Sequence, residues 1–235
     1  MIAIVLPVKD EFENLKILIP QLFSVFSGNN FVIIAVDGGS KDGSLELLQQ
    51  FCGDPKFILL SQTEDGLGNA LLLGFKQALK INAAKIVSMD ADMSHDVKYI
   101  KMLIDHCLVN HVSIGSRYSI GGNFKAPKIR ILLSKIGNHL ISLLLGTYIA
   151  DNTSGFRCYD ANIFLQHPGV LEIKENNYNF QFSILSYFVS RGVVAIECPI
   201  QFIPRSYGNS KFTLKQVWYS ISALFKIFIR SKINS

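Results

Sequence analysis

Val87-Ser88-Met89-Asp90-Ala91-Asp92-Met93-Ser94-His95 is the stretch that decides the fold. Residues 85–89 read as a short buried strand that delivers two carboxylates, one residue apart, to its C-terminal end. Side chains alternate faces along a strand, so Asp90 and Asp92 are expected to leave the same side and converge. Two ionised carboxylates that close repel unless a cation sits between them or one takes a proton. Mg²⁺ or Mn²⁺ held by a couple of carboxylates plus substrate phosphate oxygens is the usual solution. Such pairs also occur on solvated loops; the apolar strand before this one and the motifs around it set it apart.

Outward from that strand, the first half alternates strand-like and helix-like segments. Strands are expected at Ile2–Val8, 31–36, 57–60, 85–89 and 112–116, with helices at 14–26, 43–51, 66–80 and 96–110. In the third helix Leu67, Ala70, Leu71, Phe75, Ala78 and Leu79 recur at helical spacing. This alternation predicts a mostly parallel sheet covered by helices on both faces. Ligands in open sheets of this kind bind at the carboxyl ends of strands, where Asp37, Asp90 and Asp92 fall. The second half adds helices at 129–145 and 180–190, a strand at 193–198, and an amphipathic helix over 214–232. No linker or repeat divides the chain: residues 1–212 read as one domain and 213–235 as its helical extension.

The chain has 235 residues, a net charge of +5 and 49% hydrophobic residues, enough for a real core and incompatible with disorder. No signal peptide opens it, and no apolar run reaches the ~20 residues of a spanning helix. Cys52, Cys107, Cys158 and Cys198 are scattered with no C-x-x-C pair, pointing to free thiols and away from zinc. Charge is unevenly spread. Between His106 and Ala150 there is no acid beside Arg117, Lys125, Lys128, Arg130 and Lys135, and none follows Cys198 beside Arg205 and Lys211. Such stretches imply an anionic partner: phosphates, nucleic acid or a membrane surface. Aromatic and basic residues do not interleave as on a nucleic-acid platform, which argues against that partner.

Three further motifs open helices: Val36-Asp37-Gly38-Gly39-Ser40, Pro7-Val8-Lys9-Asp10-Glu11, and Asp65-Gly66-Leu67-Gly68-Asn69. Each alone is equally a capped β–α turn, and the last lacks the lysine of a P-loop. Later come Gly115-Ser116-Arg117-Tyr118, Asp151-Asn152-Thr153-Ser154-Gly155-Phe156-Arg157, Tyr178-Asn179-Phe180-Gln181, and Pro199-Ile200-x-Phe202-x-x-Arg205-x-x-Gly208-x-Ser210-Lys211.

In order and spacing these residues resemble the family-2 glycosyltransferases, nearest to the dolichol-phosphate (polyprenyl-phosphate) mannose or glucose synthases. The resemblance implies the A-type nucleotide-sugar fold, a Rossmann-like mixed sheet. It places Pro7, Lys9, Glu11, Val36 and Asp37 at the nucleotide end, Lys9 standing where the family usually has tyrosine. It places Asp90, Ala91, Asp92 and Ser94 around a Mg²⁺ or Mn²⁺ and the diphosphate, with Asp90, Asp92 and Ser94 as candidate ligands. Arg205 and Lys211 would close over the diphosphate, and Arg117, Arg130 and Ser134 would hold an acceptor phosphate; Asp92, Arg117, Arg205 and Lys211 are the candidate catalytic set. Two departures stand out. Gly38 replaces the second aspartate of Val-Asp-Asp-Gly-Ser, and Ser183 stands near where an acid often follows Phe-Gln.

The reaction implied is inverting transfer of a hexose from a nucleotide sugar. A lipid phosphate acceptor is already an anion near neutral pH and needs no general base, whereas a sugar hydroxyl does. The second half offers no obvious acidic candidate beyond Asp151, Glu172 and Glu175, which favours a polyprenyl (dolichyl or undecaprenyl) phosphate. Transfer to a lipid-linked glycan is the alternative. Lys125, Lys128, Arg130 and Lys135 beside the apolar segment 136–150 suit peripheral contact with a membrane on its cytoplasmic side. A homo-oligomer or a membrane-protein partner stays open.

Overall fold

Ile2–Val8 and Phe31–Asp37 are apolar almost throughout and buried on both faces, as central strands of a helix-covered parallel sheet must be. The computed structural model describes residues 1–175 and 179–203. Its elements run β1 (Ile2–Val8), α1 (Phe12–Val25), β2 (Phe31–Asp37), α2 (Ser44–Gln49), β3 (Phe57–Ser61), α3 (Leu67–Lys80), β4 (Lys85–Ser88), α4 (Tyr99–His106) and β5 (His111–Ser116). They continue with β6 (Asn123–Phe124), α5 (Lys128–Leu145), β7 (Arg157–Asp160), α6 (Asn162–Gln166), a 3₁₀ turn Pro168–Glu172, α7 (Asn179–Val189), β8 (Val194–Pro199) and β9 (Gln201–Phe202). Among the described residues a seven-stranded sheet has the order β3-β2-β1-β4-β7-β5-β8, with β7 antiparallel to both neighbours, and β6 pairs with β9 apart from it.

Parity along β1 sorts the core. Ala3 and Val5 pack with α3 and α7 through Phe75, Phe180 and Ile184, while Ile4, Leu6 and Val8 pack with α1 and α4 through Leu15, Leu18 and Leu103. Helix α3 lies so close on β1 that a Cβ at Gly74 would come within 2.3 Å of Val5 Cγ1, so only glycine fits there.

The expected helix–strand alternation is present, with shifts at its ends that have local causes. Helix α4 fills only the middle of 96–110: Asp96 caps its entry by accepting the Lys98 N–H at 3.0 Å, and Asn110 at φ 61° turns the chain beyond it. Gly43 at φ 94° stands outside α2. The expectation that Asp90 and Asp92 leave one face of a strand is overturned. Strand β4 ends at Ser88, and the pair lies on a loop that turns through Met93 at φ 63°. The short antiparallel β7 and the β6–β9 ribbon are additions that the sequence pattern did not give. In β7 all four residues Arg-Cys-Tyr-Asp are buried, charged ends included, so no alternation marks it. The segment 214–232, expected to be an amphipathic helix, lies outside the described residues.

Candidate active site

After β1 the sheet order departs to β2 on one side and β4 on the other, so the loops leaving β1, β2 and β4 flank one crevice at the strands' carboxyl ends. The first two loops are laced together. Ser40 Oγ accepts the Asp10 N–H at 2.9 Å, Asp10 Oδ1 accepts the Lys41 N–H at 2.8 Å, and Ser44 Oγ accepts the Glu11 N–H at 2.9 Å. Helix α1 is therefore capped from the neighbouring loop: Asp42 Oδ2 accepts the Phe12 N–H at 2.9 Å. Burial raises the Asp42 pKa, but its bonds to Ser44 and Phe12 outweigh this and hold it below the usual carboxylate range.

The residues expected at the nucleotide end lie on these loops and strand ends, in different settings. Asp37 is buried and turns its carboxylate into its own loop, Oδ2 accepting the Gly39 N–H at 2.9 Å and the Ser40 N–H at 3.2 Å. Val36 is wholly buried against α3, so its side chain is core, and Pro7 is its partner in the β1–β2 register. Glu11 accepts from Asn14 Nδ2 at 2.6 Å. Lys9 forms an exposed 2.9 Å ion pair with Asp65 at the mouth of α3. In the glycine-containing start of α3, Gly68 is a packing residue: a Cβ there would lie 2.0 Å from the Glu175 carbonyl oxygen.

In the β4 loop Asp92 is buried, its Oδ1 accepting both the backbone N–H (3.0 Å) and the hydroxyl of Ser94. Ser94 thus orients Asp92 and is itself buried, beside the small, buried Ala91. The loop is fixed by His95, whose Nδ1 accepts the Asp90 N–H at 3.1 Å while its ring stacks on Phe156 at 4.8 Å. Burial drives the His95 pKa down to about 4 against the pull of Asp92, so the imidazole is neutral, with its proton on Nε2. Asp90 is more open, its side chain 38% exposed, and a Cβ on Gly155 would sit 3.2 Å from its Oδ1. Among the described residues no three acidic, histidine or cysteine side chains converge on a metal-sized site. The donor set is hard oxygen from Asp90 and Asp92, which fits an ion that takes one or two carboxylates and completes its shell with phosphate and water.

Across the crevice β7 brings the segment 151–156 beside β4, with Ser88 Oγ donating to the Gly155 carbonyl at 2.8 Å. Arg117 grips Asp151 there: Nε to Oδ2 at 2.7 Å, Nη2 to Oδ1 at 2.6 Å, and its backbone N–H to Oδ2 at 2.9 Å. Burial alone would raise the Asp151 pKa; the Arg117 guanidinium lowers it instead, so the pair is charged. The Arg117 guanidinium also lies 5.3 Å from the Phe124 ring, with Arg130 at 5.8 Å from the same ring, so two of the expected acceptor cations share one aromatic residue. Ser134 is on the same helix, its carbonyl accepting Asn138 Nδ2 at 3.0 Å.

Helix α5 is held by polar contacts and turns its grease outward. Asn138 Oδ1 accepts the Asn152 N–H at 2.8 Å, and Asn152 Nδ2 donates to Ser142 Oγ at 2.8 Å. On the opposite side Ile129, Leu132, Leu133, Ile136, Leu140 and Leu143 form one stripe, each at least 48% exposed. A groove of about 650 Å³ beside its C-terminal half is lined by Tyr118, Lys135, His139, Leu143 and Thr147. No described helix is long and apolar enough to cross a membrane.

Arg205 and Lys211, expected over the diphosphate, and Tyr178 lie outside the described residues. The chain approaches that point across the Asp-x-Asp loop, where the Ile203 N–H donates to the Ser94 carbonyl at 3.3 Å. The sequence reading gave no duty to His95 and passed over Asp160 and Glu197 among the second-half acids. Asp160 Oδ2 accepts the Asn110 N–H at 2.8 Å, and Glu197 accepts the N–H groups of Ala150 and Asp151. His95 stood in the quoted motif as its signal; Glu197 carried none.

Residues 3–167 match the family model "Glycosyl transferase family 2". Among curated proteins the chain is 31% identical over 229 residues to a polyprenol monophosphomannose synthase of Mycolicibacterium smegmatis, covering 95% of this chain and 84% of the relative. It is 29% identical over 212 residues to an undecaprenyl-phosphate mannosyltransferase of Micrococcus luteus, covering 89% and 86%. Among solved structures, glucosyl-3-phosphoglycerate synthase of Mycobacterium tuberculosis with Mn²⁺, UDP-glucose and phosphoglyceric acid superposes at TM-score 0.70 with 15% identity, over 97% of this chain and 79% of that one. The same enzyme with Mg²⁺ and UDP gives 0.69 with 16% identity, over 97% and 79%. At that identity the likeness speaks for the fold.

Proposed function

The chain belongs to glycosyl transferase family 2, and on that premise we propose that it moves a hexose, with inversion, from a nucleotide sugar to a polyprenyl phosphate at the cytoplasmic face of a membrane. The laced loops after β1 and β2, with Lys9, Glu11 and Asp37, bind the nucleotide. Asp92, oriented by Ser94 and backed by Asp90, holds a Mg²⁺ or Mn²⁺, which when bound supplies Lewis-acid stabilisation of the leaving diphosphate. Arg205 and Lys211 complete that charge from the segment beyond residue 203. Arg117 and Arg130 orient the acceptor phosphate, and the outward stripe of α5 rests in the lipid interface with Lys125, Lys128 and Lys135 toward the headgroups.

One observation carries the choice of acceptor. Asp151 and Glu197, second-half carboxylates at the crevice end of the sheet, are engaged by a guanidinium and by backbone N–H groups, and Asp160 lies at the opposite end, across from Lys85. Such a site suits a nucleophile that arrives already ionised. Incubating the full chain with labelled nucleotide sugars, Mg²⁺ or Mn²⁺, and undecaprenyl or dolichyl phosphate should give a labelled product that extracts into chloroform. Label appearing only on a lipid-linked glycan would replace this reading with the glycan transferase.

A further inference from the structure

Glu197 stands on β8, the strand beyond β5 at the edge of the sheet, and its side chain reaches the loop that precedes β7. Its two carboxylate oxygens each take one backbone N–H of the next loop: Oε2 from Ala150 at 2.8 Å and Oε1 from Asp151 at 2.9 Å. Asp151 in turn presents both oxygens to Arg117, at 2.7 Å to Nε and 2.6 Å to Nη2, and Nη2 also reaches Thr153 Oγ1 at 2.8 Å. Among the described residues Nη1 of Arg117 makes no hydrogen bond, so the grip of Asp151 fixes where that edge of the fork points.

We propose that Glu197 is the positioning residue of the acceptor end, setting the Arg117 fork through the backbone of Asp151; this rests on the acceptor role given to Arg117 above. Other groups hold the same loop at neighbouring residues: Asn138 accepts the Asn152 N–H at 2.8 Å, Arg157 donates to the Asn152 carbonyl at 2.7 Å, and Ser88 donates to the Gly155 carbonyl at 2.8 Å. Among the described residues Glu197 alone bonds the backbone N–H of Asp151 itself. The chemistry also demands a carboxylate. Two N–H groups need two acceptors, and a glutamine offers one oxygen and sets an NH₂ against the other donor. Misplacing a binding group by a fraction of an ångström is felt in its ligand's affinity, since the forked geometry tolerates little error.

Glu197→Gln should raise the acceptor KM about tenfold and leave the donor KM within about twofold, a split that general loosening of the fold would not give. Glu197→Asp keeps both oxygens and should fall between wild type and Glu197→Gln. Asp151→Asn should share the signature, and the double variant should be no worse than Asp151→Asn alone, because both act through one fork. Equal changes in both KM values, no change in either, or additive effects would overturn the assignment. Should Glu197→Gln not fold, exchange of the Arg117 Nε–H, identified by its absence in Arg117→Lys, decides instead: slow in the wild type and faster in Glu197→Asp supports positioning, equal rates refute it. That second readout needs no turnover. A wild type that makes no prenyl-linked product would therefore sink the proposed function and still leave Glu197 to be judged.

Discussion

The two sides of the crevice are built by different means. On the side proposed for the donor the loops after β1, β2 and β4 are locked by carboxylates and hydroxyls accepting backbone N–H groups within and between loops, and a neutral buried histidine closes the set. On the side proposed for the acceptor one guanidinium is pinned by one carboxylate, and the helix beside it contacts the body through amides and Ile141 while its apolar stripe faces away. A preformed frame suits a diphosphate whose charge must be met at fixed points in the transition state. A cation with a greasy neighbour suits a ligand that is anionic at one end and apolar at the other.

The difference predicts where damage will show. Asp92→Asn should lower turnover roughly 10²–10³-fold, about 3–4 kcal/mol of transition-state stabilisation, with the acceptor KM little changed. Initial rates against each substrate measure this. An unchanged rate would remove Asp92 from the chemistry and erase the contrast.

His95 tests the rigidity of the same side. Its folded-state pKa of about 4 lies below that of an unfolded histidine, so the unfolded chain takes up the proton first. The stabilisation is complete above about pH 6.5 and is lost as pH falls through the window down to about 4, amounting to about 3 kcal/mol there. Urea midpoints of the wild type should therefore drop between pH 7 and 4.5 more than those of His95→Gln. Parallel pH profiles would mean that the ring is not held neutral.

Much of this was legible in the sequence, for reasons tied to particular segments. Strand β1 was placed to the residue because its apolar run from Ile2 ends at Lys9, and α3 was placed to within one residue because its apolar residues keep helical spacing. The motifs proposed for the donor stood out because they sit where strands end. Strand β7 was missed because Arg157 and Asp160 are buried with partners far along the chain, Arg157 on the carbonyl of Gln181 and Asp160 on the N–H of Asn110. The same blindness hid Glu197, whose duty exists only once β8 lies beside the Ala150–Asp151 loop. It also hid the pairing of Arg117 with Asp151, 34 residues apart in the chain. Charge singled out Arg117, and only the fold says to whom it is bound.

On the acceptor side Arg117→Ala is a poor probe, because it leaves the Asp151 charge buried without its partner, a change that by itself costs several kcal/mol of stability. Arg117→Lys keeps the charge and loses the fork. It should raise the acceptor KM about tenfold while the donor KM holds. A defect confined to the donor would reverse the assignment of the two sides.

The smallest effect is expected on the stripe of α5, where Leu132 and Leu140 are about half exposed. Serine at either position should lower the melting midpoint by a few degrees at most, through its weaker helix propensity and the loss of a half-covered side chain. If the stripe rests in lipid, each change takes away a partly inserted side chain, about 1 kcal/mol or roughly fivefold in partitioning onto vesicles containing anionic lipid. High salt should weaken the same partitioning through Lys125, Lys128 and Lys135 without abolishing it, because the apolar share of binding is not screened. Sedimentation with such vesicles measures both terms. A Leu132→Ser, Leu140→Ser double variant that binds as the wild type does would show that α5 turns its leucines toward something other than a bilayer.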